Sequence, residues 1–202
     1  GGKNILNILN LIVIDPEMEY KRLAESVGGD YISFAQDGAA KLNPFELSGL
    51  YVEGEDELRL KILSLAGLIK IMLGGELIPQ EAAVLDRALI LTYKEKGITP
   101  DPLTHTKEPP LLEDLYKIFL SMMDKEASGM AIRLEKYVKG SASGIFDRRS
   151  NVTIKNTFTV FSIRELADEF RPIAMYMMLD YIWTRIKKDQ RRRILVIDEA
   201  WW

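Results

Sequence analysis

The sequence predicts an α/β fold in which a largely parallel sheet is interrupted by an all-helical segment. Two short apolar runs, Leu11–Ile14 and Ile194–Ile197, are typical of strands buried on both faces of a parallel sheet. Between them, from residue 53 to residue 139, the apolar residues recur at helical spacing and no strand pattern appears. We therefore expect a discontinuous core, residues 1–52 and 140–202, around a helical insertion at residues 53–139.

The first core segment predicts a strand, a helix and a second strand. After Leu11–Ile14, Asp15 is expected to cap a helix whose first residue is Pro16. That helix should end after Val27, where two glycines follow. Tyr31–Phe34 predicts the next strand.

The rest of the chain predicts helices first and then a return to the sheet. In the insertion we expect four helices, at Glu55–Leu73, Pro79–Lys94, Leu111–Met123 and Glu126–Lys139. The β pattern returns at Val152–Ile154 and Phe158–Phe161. A long helix, Arg164–Lys188, then precedes the strand Ile194–Ile197.

Composition and charge exclude several classes of function. Of the 202 residues, 47% are hydrophobic and 28% are charged, and the formal net charge is −3. That charge does not indicate a general affinity for nucleic acid, although a local basic patch would still allow contact with DNA. The chain has no cysteine and one histidine, His105, which we expect in an exposed loop, so thiol chemistry is excluded and a His-based site is disfavoured. No apolar run reaches the roughly 20 residues that a membrane span needs.

The strongest chemical signal is the pair of acids after the last apolar run. If Ile194–Ile197 is a buried strand, Asp198 and Glu199 emerge at its carboxyl end, where open α/β sheets bind ligands. In nucleotide hydrolysis the first acid of such a pair holds Mg²⁺ and the second polarises the attacking water. The alternative is a buried strand that ends in a polar turn.

A phosphate-binding loop, G-x-x-x-x-G-K-[ST], is the expected partner of such an acid pair. The chain begins Gly1-Gly2-Lys3-Asn4, so Gly2 and Lys3 are the candidate nucleotide-binding residues, but Asn4 stands where a hydroxyl residue should reach Mg²⁺. A helix at Asn4–Asn10 would be about 10 Å long, too short to run back along a strand of about 17 Å. The alternative is that these first residues are an artificial remnant.

Four stretches of sequence carry a family resemblance. They are Leu11–Tyr20 (LIVIDPEMEY), the region from Gly28-Gly29 to Asn43-Pro44-Phe45, Gly144–Asp147 (GIFD) and Arg193–Trp201 (RILVIDEAW). In this order they resemble the C-terminal motor domain of the conjugative-transfer and type IV secretion ATPases, which are RecA-like P-loop motors of the HerA–FtsK type. The resemblance implies a RecA-like P-loop NTPase core with a largely parallel sheet, interrupted by an all-α insertion.

The resemblance also implies roles for individual residues. Asp198 would hold Mg²⁺, Glu199 would be catalytic, and Lys3 would occupy the position of the phosphate-loop lysine. The acids of Asp15–Tyr20 match family positions as well, although helix capping explains them equally well. Asn43-Pro44-Phe45 could shape a turn near the nucleotide, or be a purely structural turn.

The implied activity is that of an ATP-hydrolysing motor, with ATP and Mg²⁺ as cofactors, which powers a bacterial type IV secretion or conjugative DNA-transfer machine. The implied partners are other secretion-system subunits and identical chains in a hexameric ring. The implied location is cytoplasmic, on the inner face of the cell membrane. The family's sensor strand and trans-acting arginine follow the acid pair, and the sequence stops at Trp202. If the sequence is complete, we expect the isolated chain not to hydrolyse ATP by itself.

Two other functions fit the same sequence. A DNA translocase or helicase of the HerA–FtsK type would share the core, and its DNA binding would depend steeply on salt. A non-catalytic interaction fragment, in which the helical insertion docks a secretion partner, would agree with the incomplete phosphate loop. The basic cluster Lys187–Arg193 could face DNA or an anionic protein, but capping of the preceding helix in solvent is the simpler interpretation.

Overall fold

The structure is a computed structural model, which describes residues 10–50, 52–188 and 192–198. Its strands are β1 (Asn10–Asp15), β2 (Asp30–Ser33), β3 (Phe158–Ser162) and β4 (Arg193–Ile197). They form one sheet in the order β2-β3-β1-β4, and every neighbouring pair is parallel. All four carboxyl ends therefore lie at the same edge of the sheet.

Helices surround this sheet. They are α1 (Lys21–Ser26), α2 (Glu57–Met72), α3 (Pro79–Glu95), α4 (Leu112–Ser121), α5 (Lys125–Val138) and α6 (Arg171–Lys188). Short 3-10 helices occur at Pro102–Thr104 and Asp168–Phe170. Among the described residues, no helix has both the length and the apolar character that a membrane span requires.

The strand β1 is buried on both faces, as predicted. Ile12 and Ile14 point to the large hydrophobic core that also contains side chains of α2–α6. Val13 points to the opposite face, where it packs with Ala24 of α1 and Phe158 of β3. Because successive residues of a strand face opposite sides, a continuous apolar run is what a strand needs when helices cover both faces.

The strand β4 is less buried than predicted. Ile194 is 46% exposed and Leu195 is 37% exposed, whereas Val196 and Ile197 pack against the two core clusters. The sheet places β4 beside β1 only, and no other described strand pairs with its outer edge. The expectation that this run is buried along its whole length is therefore wrong for the described part of the chain.

The helices of the predicted insertion agree with the sequence patterns to within a few residues at each end. Their ends are fixed by local signals. The Asp56 side chain caps α2 by accepting a hydrogen bond from the Arg59 N–H at 2.9 Å, and Pro79 occupies the first residue of α3. The division of the chain into a core and an insertion at residues 53–139 stays a prediction.

The predicted strand Val152–Ile154 is wrong, because this segment does not join the sheet. At one end of the segment, the Asn151 side chain forms hydrogen bonds with the Ala39 carbonyl and the Lys41 N–H. At the other end, the backbone and side-chain N–H groups of Asn156 donate to the Asp30 carboxylate. Val152 and Ile154 still point towards the core. The alternation of apolar and polar residues at 152–154 therefore reflects a segment that buries one side against the core but pairs with no strand of the described sheet.

The long helix before β4 begins later than predicted. Residues 164–170 form a turn and a 3-10 helix, and α6 starts at Arg171. The Arg171 guanidinium donates hydrogen bonds to the carbonyl oxygens of Leu166 and Arg164 at 3.3 and 3.2 Å. These bonds satisfy carbonyl groups that a continuous helix would have paired within itself.

Partly buried polar contacts attach the helical region to α6. Lys61 Nζ of α2 lies 2.5 Å from Asp180 Oδ2 of α6, and the Ser64 hydroxyl donates to Asp180 Oδ1 at 2.9 Å. The Tyr176 hydroxyl donates to the Ser64 carbonyl at 2.8 Å. The large hydrophobic core runs through the same contact, so that α2–α5 and the sheet share one continuous apolar interior.

We predict that Gly29→Ala lowers the free energy of unfolding by about 1–3 kcal/mol, because overpacking forces a backbone shift. A Cβ atom at Gly29 would lie 2.7 Å from the carbonyl oxygen of Phe158, in the neighbouring strand. Gly129→Ala is the matched control, since a Cβ there meets open space in α5. The control should raise stability by roughly 0.5–1 kcal/mol in urea unfolding. Equal effects of both changes would contradict the close contact.

Candidate functional site

The candidate site is the carboxyl edge of the sheet, where polar side chains follow neighbouring strands. The parallel register pairs Asp15 with Ser162 and Ser33 with Ser162. It also pairs Ile14 with Ile197, so that Asp198 comes one residue beyond the paired stretch, beside Asp15. The Asp198 N–H donates to the Ile14 carbonyl at 3.1 Å, which continues the pairing to the edge. The structure therefore places the predicted metal-binding acid where open α/β sheets bind ligands.

Asp15 is fully buried and holds the loop that follows β1. Its two carboxylate oxygens accept hydrogen bonds from the backbone N–H groups of Glu19 and Tyr20, at 3.0 and 2.9 Å. Hydrogen bonds to a carboxylate are among the stronger ones in proteins. Asp15 is thus an anchor of the loop, rather than an exposed ligand.

The expectation that Asp15 begins a helix at Pro16 is wrong, because α1 begins at Lys21. The intervening residues form a loop in which Met18 has a φ of 66°. A non-glycine residue rarely adopts that left-handed conformation, which costs about 1 kcal/mol or more. The two hydrogen bonds to Asp15 offset this cost and keep the loop over the end of β1.

Glu17 connects the loop after β1 to the loop after β3. Its carboxylate oxygens lie 3.0 Å from Arg164 Nη1 and 3.6 Å from Arg171 Nη1. Arg164 is half-exposed, whereas the Arg171 side chain is 10% exposed. The hydroxyl of Ser33, at the end of β2, donates a hydrogen bond to the carboxylate of Glu165, the residue after Arg164, at 3.2 Å. Side-chain contacts therefore tie together the ends of three neighbouring strands.

This network was not foreseen from the sequence. A partial signal exists, since Glu17 and Arg164 each follow a strand by two residues, as β1 and β3 end at Asp15 and Ser162. Pairing them requires knowing that β1 and β3 are neighbours, although more than 140 residues separate them. Sequence spacing alone does not contain that information.

The chemistry of the edge fits a Mg²⁺ ion that is bound together with a nucleotide. Asp198 offers a hard carboxylate oxygen, which is the ligand type that Mg²⁺ prefers. The described residues hold no cluster of three or more acidic or histidine side chains suited to a resident metal. Mg²⁺ in nucleotide sites takes only one or two protein carboxylates, and phosphate and water supply its other ligands. A single carboxylate at this edge is thus compatible with a Mg²⁺ ion that takes its remaining ligands from phosphate and water.

The other candidate site residues lie outside the described part of the chain. These are Glu199, predicted to be catalytic, and Lys3 and Gly2, predicted to bind phosphate. Their roles stay predictions. In the basic cluster, Lys187 forms an ion pair with Glu55 ahead of α2, so it does not simply cap α6 in solvent.

Asn43-Pro44-Phe45 is a structural turn within the described fold. The Asn43 side chain donates to the Pro110 carbonyl at 2.8 Å and accepts from the Phe45 N–H at 3.1 Å. The Tyr93 hydroxyl donates to the Phe45 carbonyl at 2.7 Å, and Phe45 is fully buried. The turn therefore anchors the chain leaving β2 onto α3 and onto the loop before α4.

Asp147, in the GIFD stretch, caps a helix that is distant in sequence. Its Oδ1 accepts a hydrogen bond from the Glu113 N–H, in the first turn of α4, at 2.9 Å. Burial raises the pKa of the Asp147 carboxyl, and the hydrogen bond from Glu113 partly opposes that rise. The structure thus assigns this stretch a role in joining the returning chain to the helices.

The expectation that His105 is exposed is wrong. The residue is 6% exposed, and its Nε2 lies 2.9 Å from the carbonyl oxygen of Thr99. Its Nδ1 lies 3.4 Å from Glu57 Oε2 in α2. His105 ends the 3-10 helix Pro102–Thr104, and its backbone N–H donates to the Pro102 carbonyl at 3.1 Å.

The fold is of the predicted class, an α/β core of the P-loop NTPase type that is interrupted by helices. In the described part of the chain it has a parallel sheet with helices on both faces and an acid just beyond strand β4. The solved structure of VirB4 of Thermoanaerobacter pseudethanolicus is similar to this chain, with a TM-score of 0.85 and 28% sequence identity. The match covers 95% of this chain and 75% of that one. The chain is therefore similar to VirB4 in its fold over nearly its whole length. No protein-family model and no curated protein matches it.

We predict that Asp15→Ala lowers the free energy of unfolding by about 2–4 kcal/mol, because two N–H groups lose a buried charged acceptor. Asp15→Asn keeps one acceptor oxygen and should cost roughly half as much. In hydrogen exchange, the Glu19 and Tyr20 amides should lose protection in the alanine variant. Asp37→Ala, at an exposed acid, is the control and should change stability by less than about 0.5 kcal/mol. Unchanged protection of both amides in Asp15→Ala would contradict the anchoring role.

Proposed function

We propose that this chain forms part of an ATP-hydrolysing motor that powers a bacterial type IV secretion or conjugative DNA-transfer machine. The observation that carries the proposal is the position of Asp198 beside Asp15 at the carboxyl edge of a parallel sheet. The structural likeness to VirB4 supports it, since the likeness extends over nearly the whole chain. The motif resemblance assigns such motors to the HerA–FtsK-type P-loop proteins.

In this proposal each candidate residue has a separate role in ATP hydrolysis. Asp198 would hold Mg²⁺, directly or through water, and the bound ion would supply positive charge beside the phosphates. Glu199, the next residue, would orient and polarise the water that attacks the γ-phosphate. Lys3 and Gly2 are proposed to bind the phosphates, as the last residues of a phosphate-binding loop do. Asp15 keeps the neighbouring loop in place.

The proposed assembly follows the same family. The motor acts as a ring of identical chains, described in the family as hexameric, with other secretion-system subunits as partners. It works in the cytoplasm against the inner face of the membrane. Residues 53–139 form an insertion whose helices are anchored to α6 by Lys61, Ser64 and Asp180. This anchoring keeps the insertion in a fixed place beside the motor core.

We predict that Glu199→Gln leaves nucleotide binding unchanged but lowers turnover by roughly 10²–10⁴-fold, because the carboxylate acts mainly in the transition state. Asp198→Asn should instead raise the Mg²⁺ concentration needed for binding and turnover. Both variants are measured in the assembled motor, with phosphate release for turnover and a fluorescent ATP analogue for binding.

The control is Glu25→Gln, at an exposed acid in α1, which should behave as the unaltered protein. If Glu199→Gln turns over ATP at the normal rate, the catalytic role is wrong. If Asp198→Asn shows the normal dependence on Mg²⁺, the metal-binding role is wrong.

A further inference from the structure

A groove of about 590 Å³ lies between α2 and α3, on the helical region and away from the strand ends of the candidate site. This volume falls within the range of about 300–1,000 Å³ that is usual for binding sites. Its apolar lining comes from both helices and from the loop that follows α3. The main apolar residues are Leu58, Ile62, Leu63, Ile90, Ile98 and Pro100.

The groove has a buried floor and exposed apolar walls. Ile62 and Ile98 in the floor are buried, whereas Leu63 is 60% exposed and Ile90 is 49% exposed. The two exposed side chains belong to neighbouring helices and line the same groove. Large apolar side chains grouped around a concavity, rather than scattered singly, are typical of a surface that another molecule covers.

Charged side chains at the rim differ in sign between the two ends of the groove. Because α2 and α3 form an antiparallel hairpin, the start of α2 lies beside the end of α3. Arg59 and Lys94 are therefore at one end, and Asp86, about 12 Å from Lys94 along the helix, is at the other. Within the described part of the chain, these three side chains form no ion pair. Asp56 lies at the basic end, but its carboxylate caps α2.

We propose that this groove binds one amphipathic α-helix of a partner protein. About two turns of helix would span the groove and place apolar side chains at positions i, i+4 and i+7 between Leu63 and Ile90. Acidic side chains at one end of that helix would face Arg59 and Lys94, and a basic side chain at the other end would face Asp86. This charge arrangement sets the direction in which the helix lies. Because the groove contains no residue of the candidate nucleotide site, binding of the helix can be tested independently of ATP hydrolysis.

The test uses a capped 14-residue helical peptide, labelled with fluorescein and titrated with the whole chain by fluorescence anisotropy. The peptide carries leucines at positions 4, 8 and 11, glutamates in its first turn and lysines in its last turn. We expect saturable binding that Ile90→Lys weakens at least tenfold. Ile132→Lys is the matched control, since Ile132 is 72% exposed on α5, outside the groove, and it should not change binding.

A charge exchange provides a second test that does not alter the apolar surface. The double variant Arg59→Glu, Lys94→Glu should weaken binding of the glutamate–lysine peptide at least fivefold. A peptide with lysines at both ends should bind this double variant better than it binds the unaltered chain. Circular dichroism of each variant checks that its helices are intact.

Three results would overturn the proposal. The first is the absence of saturable binding by either peptide. The second is an equal loss of affinity in Ile90→Lys and Ile132→Lys. The third is self-association of the chain that Ile90→Lys abolishes in sedimentation, because a second copy of this chain would then be the occupant of the groove.

Discussion

The parallel pairing of β1 with both β3 and β4 is the constraint on which the site depends. Strands that run in one direction bring their carboxyl ends to one edge, and the register decides which side chains meet there. Here Ile14 pairs with Ile197, so Asp15 and Asp198 reach the edge together. A shift of one residue would turn every side chain of β4 to the other face of the sheet and separate the two acids.

That register is held by burial on both sides of β1. Ile12 and Ile14 face the large core, and Val13 faces α1 and Phe158, so β1 cannot slide without moving apolar groups out of both cores. Gly29 lets the chain before β2 approach the backbone of Phe158 closely. Apolar packing of β1 therefore sets the position of the polar residues at the carboxyl edge of the sheet. The contacts of Asp15 and Glu17 then hold the loops that follow the strands.

The sequence predicted the elements that depend on local patterns and missed features that depend on distant contacts. The helices from α2 to α5, the central strand β1 and the parallel α/β class were predictable, because spacing, caps and apolar runs report directly on them. The segment Val152–Ile154 has the alternation of a strand, yet Asn151 and Asn156 hold it by hydrogen bonds to the loop after β2 and to the Asp30 side chain at the start of β2. The burial of His105 was missed as well, because the imidazole contacts the Thr99 carbonyl and the Glu57 carboxylate of α2 only in the folded chain.

The site was predictable to a similar extent. Asp198 follows an apolar run, so its place at the edge could be inferred from the strand alone. The ties from Glu17 to Arg164 and Arg171 could not be inferred, because they join residues brought together only by the order of strands in the sheet. The helix-capping role of Asp147 on α4 was hidden for the same reason.

A structure of the assembled motor with Mg²⁺ and a non-hydrolysable ATP analogue tests the central claim most directly. The account predicts the triphosphate at the carboxyl edge of the sheet. It predicts Mg²⁺ either coordinated by the Asp198 carboxylate at about 2.1 Å or linked to it by one water. Nucleotide density at the amino edge or among the helices, with Asp198 far from the metal, would contradict it.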